Sequence, residues 1–402
     1  MGLNTSMSAM LHGMNAERIA IDPKRCISVR HRNASCQRCV DSCASGALYR
    51  DGDDILVDAD KCIGCGTCAN ACPTAAISLS FPSPAQISKA AKQALVKYSG
   101  SAIFCCETFA TTFDKANAHQ LEAANVCVLP CLGHIDEALL AELAARKAKH
   151  VYIVHGKCSA CDHVRGGELC KQVCKEAQQL LEAFESECKI EYTDAMPAEV
   201  FDVLDQLQTS DDSASSTNST LFSLEAKDNS KNQDDEDVED NKYSLSDLYN
   251  KVGKNGTLSH HIPMKRTRLF NCLSHLGKPK GSDIETRLAG RVSIDTDKCM
   301  SCRMCSVFCP TGALLKHGDG KNEDEEFGLM HRPSLCMQCR CCEQICAKEA
   351  ITIDSKLSLE EFLGKEEIFI ELPHPKWQPN TPDSMYNKFA DWLGPDINTG
   401  HF

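Results

Sequence analysis

Twenty-seven of the 402 residues are cysteine, about one in fifteen, and most stand at fixed spacing. One block reads Cys62-x2-Cys65-x2-Cys68-x3-Cys72-Pro73, and another Cys299-x2-Cys302-x2-Cys305-x3-Cys309-Pro310. A third reads Cys336-x2-Cys339-x2-Cys342-x3-Cys346, and a stretched one Cys26-x9-Cys36-x2-Cys39-x3-Cys43. Thiols spaced in this way can ligate a metal or a metal–sulfur cluster, or undergo thiol redox chemistry. The remaining composition narrows the choice. Net charge is −13, from 43 Lys and Arg against 56 Asp and Glu, which argues against a nucleic-acid partner because phosphate binding needs a basic face. No apolar run reaches the ~18 residues that would span a bilayer, and the start of the chain lacks the basic-then-apolar pattern of a secretory signal. The expected compartment is therefore the cytoplasm, where a disulfide scaffold is not expected. The odd cysteine count also fits complete pairing poorly. Metal or iron–sulfur ligation, or redox chemistry, remains.

The elements around the cysteines repeat as well. The blocks continue as Ala44-Ser45-Gly46-Ala47-Leu48, Pro73-Thr74-Ala75-Ala76-Ile77, Pro310-Thr311-Gly312-Ala313-Leu314 and Ala347-Lys348-Glu349-Ala350-Ile351. Strand-like segments lead into the later blocks: Ile55-Leu56-Val57, Val292-Ser293-Ile294 and Gly328-Leu329-Met330. One unit thus occurs four times, in two pairs, Cys26–Cys72 and Cys299–Cys346. Each pair resembles the bacterial-type two-cluster [4Fe-4S] ferredoxins, whose fold is α+β. Three thiolates two residues apart lie on one tight loop and can hold three irons of a cubane, with loop N–H groups directed at the sulfurs. In that family the fourth cysteine ligates the other cluster of the pair. The resemblance therefore implies four [4Fe-4S] clusters. Cluster one would be held by Cys26, Cys36, Cys39 and Cys72, and cluster two by Cys62, Cys65, Cys68 and Cys43. Cluster three would be held by Cys299, Cys302, Cys305 and Cys346, and cluster four by Cys336, Cys339, Cys342 and Cys309.

Structural zinc also uses Cys-x2-Cys pairs, but two pairs per site rather than three cysteines on one loop with a distant fourth. The first block departs from the family pattern through nine residues, Ile27 to Ser35, between its first two cysteines. That insertion can be accommodated as a loop, or can make Cys26 a poor ligand and leave a three-iron cluster. Cys341, beside Cys342, breaks the spacing and reads as a bystander thiol.

Between the pairs the periodicity changes. Ser83 and Pro84 start a helix whose face is Ile87, Ala91, Ala94, Leu95 and Tyr98. Ala102–Phe104, Val126–Leu129, Val151–Val154 and Lys189–Tyr192 read as strands. Helices are expected over Asp136–Lys147, Gly167–Phe184 and Ala198–Leu207. Alternating strands and helices predict an α/β domain with a parallel, flavodoxin-like sheet, whose site lies at the carboxyl ends of the strands. Those ends carry Cys105-Cys106, Cys131 and Cys158-Ser159-Ala160-Cys161. This order resembles the delta (iron–sulfur) subunit of methyl-viologen-reducing hydrogenase from Ala102 to Leu207. The resemblance rests on the double cysteine, the turn Cys131-Leu132-Gly133-His134-Ile135-Asp136, and Cys158 and Cys161 ahead of Gly166-Gly167. Phe109 stands where the family has a further cysteine. The resemblance implies a fifth iron–sulfur centre, or a redox-active thiol group, at Cys131, Cys158, Cys161 and one of Cys105 or Cys106, handing electrons to a flavin-containing partner. Cys127, inside a strand, reads as core. Cys170 and Cys174, four apart on a helix, read as packing rather than ligation, and His163 as a surface or core residue. Cys188 and Cys272 stand alone. No Gly-rich phosphate loop follows a strand, and no hydrolytic constellation can be read.

The expected organisation is a first dicluster unit at 15–82, the α/β domain at 83–208, and an acidic disordered linker at 209–262. A short helical connector follows at 263–288, then a second dicluster unit at 289–356 and a tail at 357–402. Lys265-Arg266-Thr267-Arg268 in the connector reads as a solvated face. Trp377, Tyr386, Phe389 and Trp392 in the tail either dock a partner or pack back on the second unit. The whole reads as a relay passing single electrons to or from a redox partner protein or oxidoreductase complex. That partner would be a hydrogenase, formate dehydrogenase or flavin-dependent reductase. The alternatives are an iron–sulfur redox sensor or an assembly factor for such an enzyme, or an enzyme whose active centre is the middle site.

Overall fold

A computed structural model describes residues 18–113, 118–211, 257–281, 283–320, 324–364 and 366–375. In the N-terminal unit, β1 (Ile19–Ile21) pairs antiparallel with β4 (Ile77–Leu79), and β2 (Leu48–Asp51) with β3 (Asp54–Val57). The short helices Arg38–Asp41 and Thr67–Ala71 lie between them in sequence. Ile19, Leu48, Ile55, Cys68 and Ile77 form the core of this unit.

The middle domain is a parallel sheet of β5 (Ser101–Cys106), β6 (Cys127–Leu129), β7 (His150–Val154) and β8 (Lys189–Thr193), in the order β6-β5-β7-β8. Its lead helix, Pro84–Lys97, begins with a capping box in which Ser83 and Gln86 exchange hydrogen bonds, a device that satisfies two otherwise orphaned amides. Period-two alternation along β5 divides the packing. Ala102, Phe104 and Cys106 face the helices Pro84–Lys97, Glu137–Ala145 and Val164–Ala183. Ile103 and Cys105 face Ala110, Leu121, Val200 and Leu204 on the opposite side. Ala198–Asp211 is one continuous helix, so regular structure runs past Leu207 into the segment expected to be linker.

The C-terminal unit repeats the first. β10 (Arg291–Ile294) pairs with β13 (Ile351–Asp354), and β11 (Leu314–His317) with β12 (Gly328–His331). It has two additions. β9 (Asp283–Glu285) pairs with β14 (Lys356–Ser358), and β15 (Ile368–Glu371) extends the sheet on β12. The tail therefore packs back on its own unit as far as Pro375, with Phe362 fully buried. The four tail aromatics, and the acidic segment after Asp211, lie outside the described residues. Thr257 and Leu258, expected in the linker, are buried.

The connector corrects one expectation. Its basic run is not a solvated face: it ties all three units together. Lys265 Nζ donates to the Cys72 and Asn70 carbonyls at 2.7 and 3.2 Å. Arg266 is 2 % exposed and bonds the carbonyls of Leu288 and Ser334. Arg268 pairs with Asp136 at 2.7 Å. The helix carrying them, Met264–Ser274, lays Leu269, Cys272 and Leu273 against Ala138 and Ala141 of the middle domain. The run is basic because buried cations are needed to cap carbonyls and carboxylates brought from three other units. Nearby, Arg287 meets the buried Glu137 with two bonds of 2.8 and 2.9 Å. Arg287→Met leaves that carboxylate without its cation, a change that costs about 3–5 kcal/mol. The expected result is a lowered thermal midpoint, and an unchanged one would show the pair to be dispensable.

Candidate iron–sulfur sites

The cysteine loops owe their shape to a repeated backbone pattern. In three blocks the second residue after the first cysteine and the first residue after the second cysteine both have positive φ: Gly64 and Gly66, Ser301 and Arg303, Gln338 and Arg340. Side chains rarely adopt this conformation, yet four of these six positions are not glycine. The third residue after the fourth cysteine is left-handed in all four blocks: Gly46, Ala75, Gly312 and Glu349. The stretched block shares only this second feature, because a short helix, Ile27–Arg30, replaces the first loop turn. These turns aim backbone N–H groups at sulfur. The Ser301 amide donates to Cys299 Sγ at 3.4 Å, Ala350 to Cys346 Sγ at 3.4 Å, and Ala76 to Cys72 Sγ at 3.3 Å.

Each fourth cysteine lies with the first three of its partner block. Cys26, Cys36, Cys39 and Cys72 line one apolar cavity with Ile21, Ile27, Ile55 and Ile77. Cys309 joins Cys336, Cys339 and Cys342 in a second cavity, and Cys346 joins Cys299, Cys302 and Cys305 in a third. Cys43 faces Cys62 and Cys68. The insertion has not displaced Cys26, which stays in its cavity as the cap residue of helix Ile27–Arg30. Cys341, expected to be a bystander, is fully buried and packs with Ile27, Ala34 and Phe308.

Burial raises the pKa of several of these thiols. It pushes Cys26 up to about 11, although the Val29 and Ser28 amides pull it down. It pushes Cys39 up to about 12, with neighbouring thiols adding to the effect, and raises Cys68 strongly. Thiols in such surroundings stay protonated at neutral pH unless a bound cation compensates their charge, and ligation then releases the protons. The donor set fits iron–sulfur clusters: clustered thiols, amides directed at sulfur, and apolar walls.

The strand ends of the middle domain bring together a further group. β5 ends in Cys106, and Cys131 and Cys158 follow β6 and β7. Cys131 lies near Cys106 and Cys158, and also near Cys65 of the first unit. Cys158 faces Cys161. Amides again point at sulfur: Phe109 to Cys106 at 3.4 Å, Gly133 to Cys131 at 3.5 Å, and His163 to Cys161 at 3.4 Å. Cys105 is not part of the group, because the strand turns it to the opposite face. Gly166 and Gly167 open the helix Val164–Ala183 against the thiols; a Cβ on Gly167 would stand 2.6 Å from Cys158 Sγ, and one on Gly166 would overlap Cys131 Sγ. Cys170 and Cys174 are buried on this helix with sulfurs 3.9 Å apart. Cys127 and Cys188 pack in the same core, and Cys272, on the connector helix, packs against the middle domain. Burial pushes Cys131 up to about 12, against the pull of the Gly133 amide.

Three residues at this junction carry no signal in the cysteine spacing. Thr67 Oγ1 donates to Cys65 Sγ at 3.3 Å and lies close against Gly133 and Gly166. Asn70 Nδ2 bonds the carbonyls of Ile135 and Gly133 at 2.6 and 3.3 Å. His134 lies between the two units, its ring against Gly66 and its Nδ1 3.0 Å from the Cys131 carbonyl. Its Nε2 is buried without a hydrogen-bond partner. Burial lowers its pKa to about 4, so the ring is neutral.

Comparison with known proteins finds 4Fe-4S domains on either side of the middle domain. Residues 55–78 match the 4Fe-4S binding domain, and residues 285–350 match the 4Fe-4S dicluster domain. Residues 102–212 match the delta subunit of methyl-viologen-reducing hydrogenase. Over 35 residues the chain is 51% identical to a probable iron-sulfur subunit of the Frd operon of Proteus vulgaris, covering 9% of this chain and 22% of that one. Over 62 residues it is 34% identical to the pyruvate synthase subunit PorD of Methanocaldococcus jannaschii, covering 15% and 64%. The chain thus spans less than two thirds of either relative. No solved structure matches it. Among the described residues, no helix is long and apolar enough to cross a membrane.

Proposed function

We propose, for a chain whose 4Fe–4S domains flank a domain matching the hydrogenase delta subunit, a relay of four [4Fe-4S] clusters that serves a partner oxidoreductase in the cytoplasm. The observation that supports it most is the gathering of each fourth cysteine with the three of its partner block. Cys26, Cys36, Cys39 and Cys72 hold the first cluster; Cys62, Cys65, Cys68 and Cys43 the second. Cys299, Cys302, Cys305 and Cys346 hold the third; Cys336, Cys339, Cys342 and Cys309 the fourth. The position of Cys26 favours four irons over three in the first. Bound clusters supply one-electron chemistry. The chain's own residues hold the thiols, direct amides at them, and exclude water with apolar walls. The ferredoxin-like α+β reading of the outer units is supported by their shared pairing of first strand with fourth and second with third. The strand order of the middle sheet, two-one-three-four, supports its flavodoxin-like reading.

Cys106, Cys131, Cys158 and Cys161 form the exit, as a fifth iron–sulfur centre or a redox-active thiol group. The partner is a hydrogenase, formate dehydrogenase or flavin-dependent reductase. A cubane with four thiolates carries about −2, so four clusters add roughly −8 to an already acidic chain. A partner with a basic docking face, and association that weakens with salt, follow from this charge. Protein purified without oxygen is expected to carry about 16 irons in these clusters. Fewer than about eight per chain, or stoichiometric zinc instead, overturns the relay.

A further inference from the structure

The insertion that sets the first block apart is not an exposed loop. Ile27, Ser28, Val29, Arg30 and Ala34 are all at most 4 % exposed, and what covers them belongs largely to the C-terminal unit. Ile27 and Ala34 pack with Leu258, Phe308, Cys341 and Ile345. Arg30 Nε donates to the Phe308 carbonyl at 2.9 Å, and its Nη2 to the Ser259 and Cys309 carbonyls at 2.9 and 3.4 Å. The His31 ring stands edge-on to Phe308, with centroids 4.5 Å apart. The Ser35 amide donates to Gln344 Oε1 at 3.0 Å, and just beyond the insertion Arg38 bonds the Gln338 carbonyl at 2.6 Å.

A buried guanidinium needs hydrogen-bond acceptors. Arg30 finds them in the carbonyls of Phe308, Ser259 and Cys309, the last a residue of the fourth-cluster set. Cys36 of the first set and Cys339 of the fourth line one shared cleft. At the other end of the N-terminal unit, Thr67, which bonds Cys65 Sγ of the second set, packs against Gly133 and Gly166 beside Cys131 of the rim.

We infer that Ile27–Ser35 is a latch joining the two dicluster units, with Arg30 as its positioning residue, so that the thiol sets stand in one unbroken line: rim, second, first, fourth, third. Without the latch the two dicluster units would be joined chiefly through the connector and the middle domain. With it, the first and fourth sets become neighbours despite the roughly 300 residues between Cys36 and Cys339. The rim and the third set become the two ends of the line. The inference deepens the relay reading and rests on it for the order of centres, but not for the latch.

The test uses the full chain as wild type, Arg30→Met and His31→Ala, the last in case the first fails to fold. Amide exchange is read first and needs no iron. Loss of bonds to a charged donor should speed exchange about tenfold or more at residues 27–35 and 257–261, leaving β5 to β8 unchanged. Spin–spin interaction in the dithionite-reduced protein is read second. It should weaken between the first and fourth centres at unchanged iron content. Unchanged exchange in both segments overturns the latch. Faster exchange with undiminished interaction overturns the order of centres. Wild-type protein without iron overturns the relay, while the exchange result still decides the latch.

Discussion

Replacing Cys43 by serine is expected to abolish the centre of the Cys62, Cys65 and Cys68 loop and to spare the centre nearest to it in sequence. Cys43 follows Cys36 and Cys39 in the chain, but its thiol faces Cys62 and Cys68. Serine preserves the shape of the site while replacing a soft thiolate with a hydroxyl, a poor ligand for iron–sulfur clusters. The mirror change, Cys309→Ser, should remove the centre of Cys336, Cys339 and Cys342. Each variant should lose about four of sixteen irons, together with one set of signals in magnetic spectra. Loss of the Cys36 and Cys39 signals in the Cys43 variant would show that each block holds its own centre, and would refute the exchange of fourth ligands.

The second large effect lies at the rim. In Cys131→Ser combined with Cys158→Ser, the four ferredoxin-type clusters should remain while electron delivery to the partner falls to background. The two thiols come from the ends of different strands and meet in the crevice where open parallel sheets place their sites. Cys105→Ser is the internal control. Its side chain is buried on the opposite face against Ala110 and Leu121. It should cost about 1–3 kcal/mol by placing a hydroxyl in an apolar core, and leave delivery intact. Cys106→Ser, one residue away, should behave like the double variant. Full flux and unchanged iron in the double variant would make the rim thiols structural.

Much of this molecule is legible along the chain, because its signals are local. The spacing of Cys62, Cys65 and Cys68 constrains a loop of seven residues, and the same turns recur where Ser301, Arg303, Gln338 and Arg340 replace glycine. Ser83 and Pro84 announce the helix they cap. The apolar runs around Phe104, Val128 and Ile153 announce the buried strands, and with them the rim where Cys131 and Cys158 stand. Short-range sterics and hydrogen bonding suffice for all of these.

Other features were decided only when distant segments packed. Adjacent cysteines are equivalent in sequence, and the pleat of β5 sends Cys105 and Cys106 to opposite sides of the sheet. A basic run looks solvated until Asn70, Cys72 and Asp136 arrive as partners from about 130 to 200 residues away. An insertion looks like a loop until Phe308 and Ser259 receive Arg30. A charged side chain reads as exposed by default because burying it alone is costly. Only the folded chain supplies the carbonyls and carboxylates that make its burial favourable.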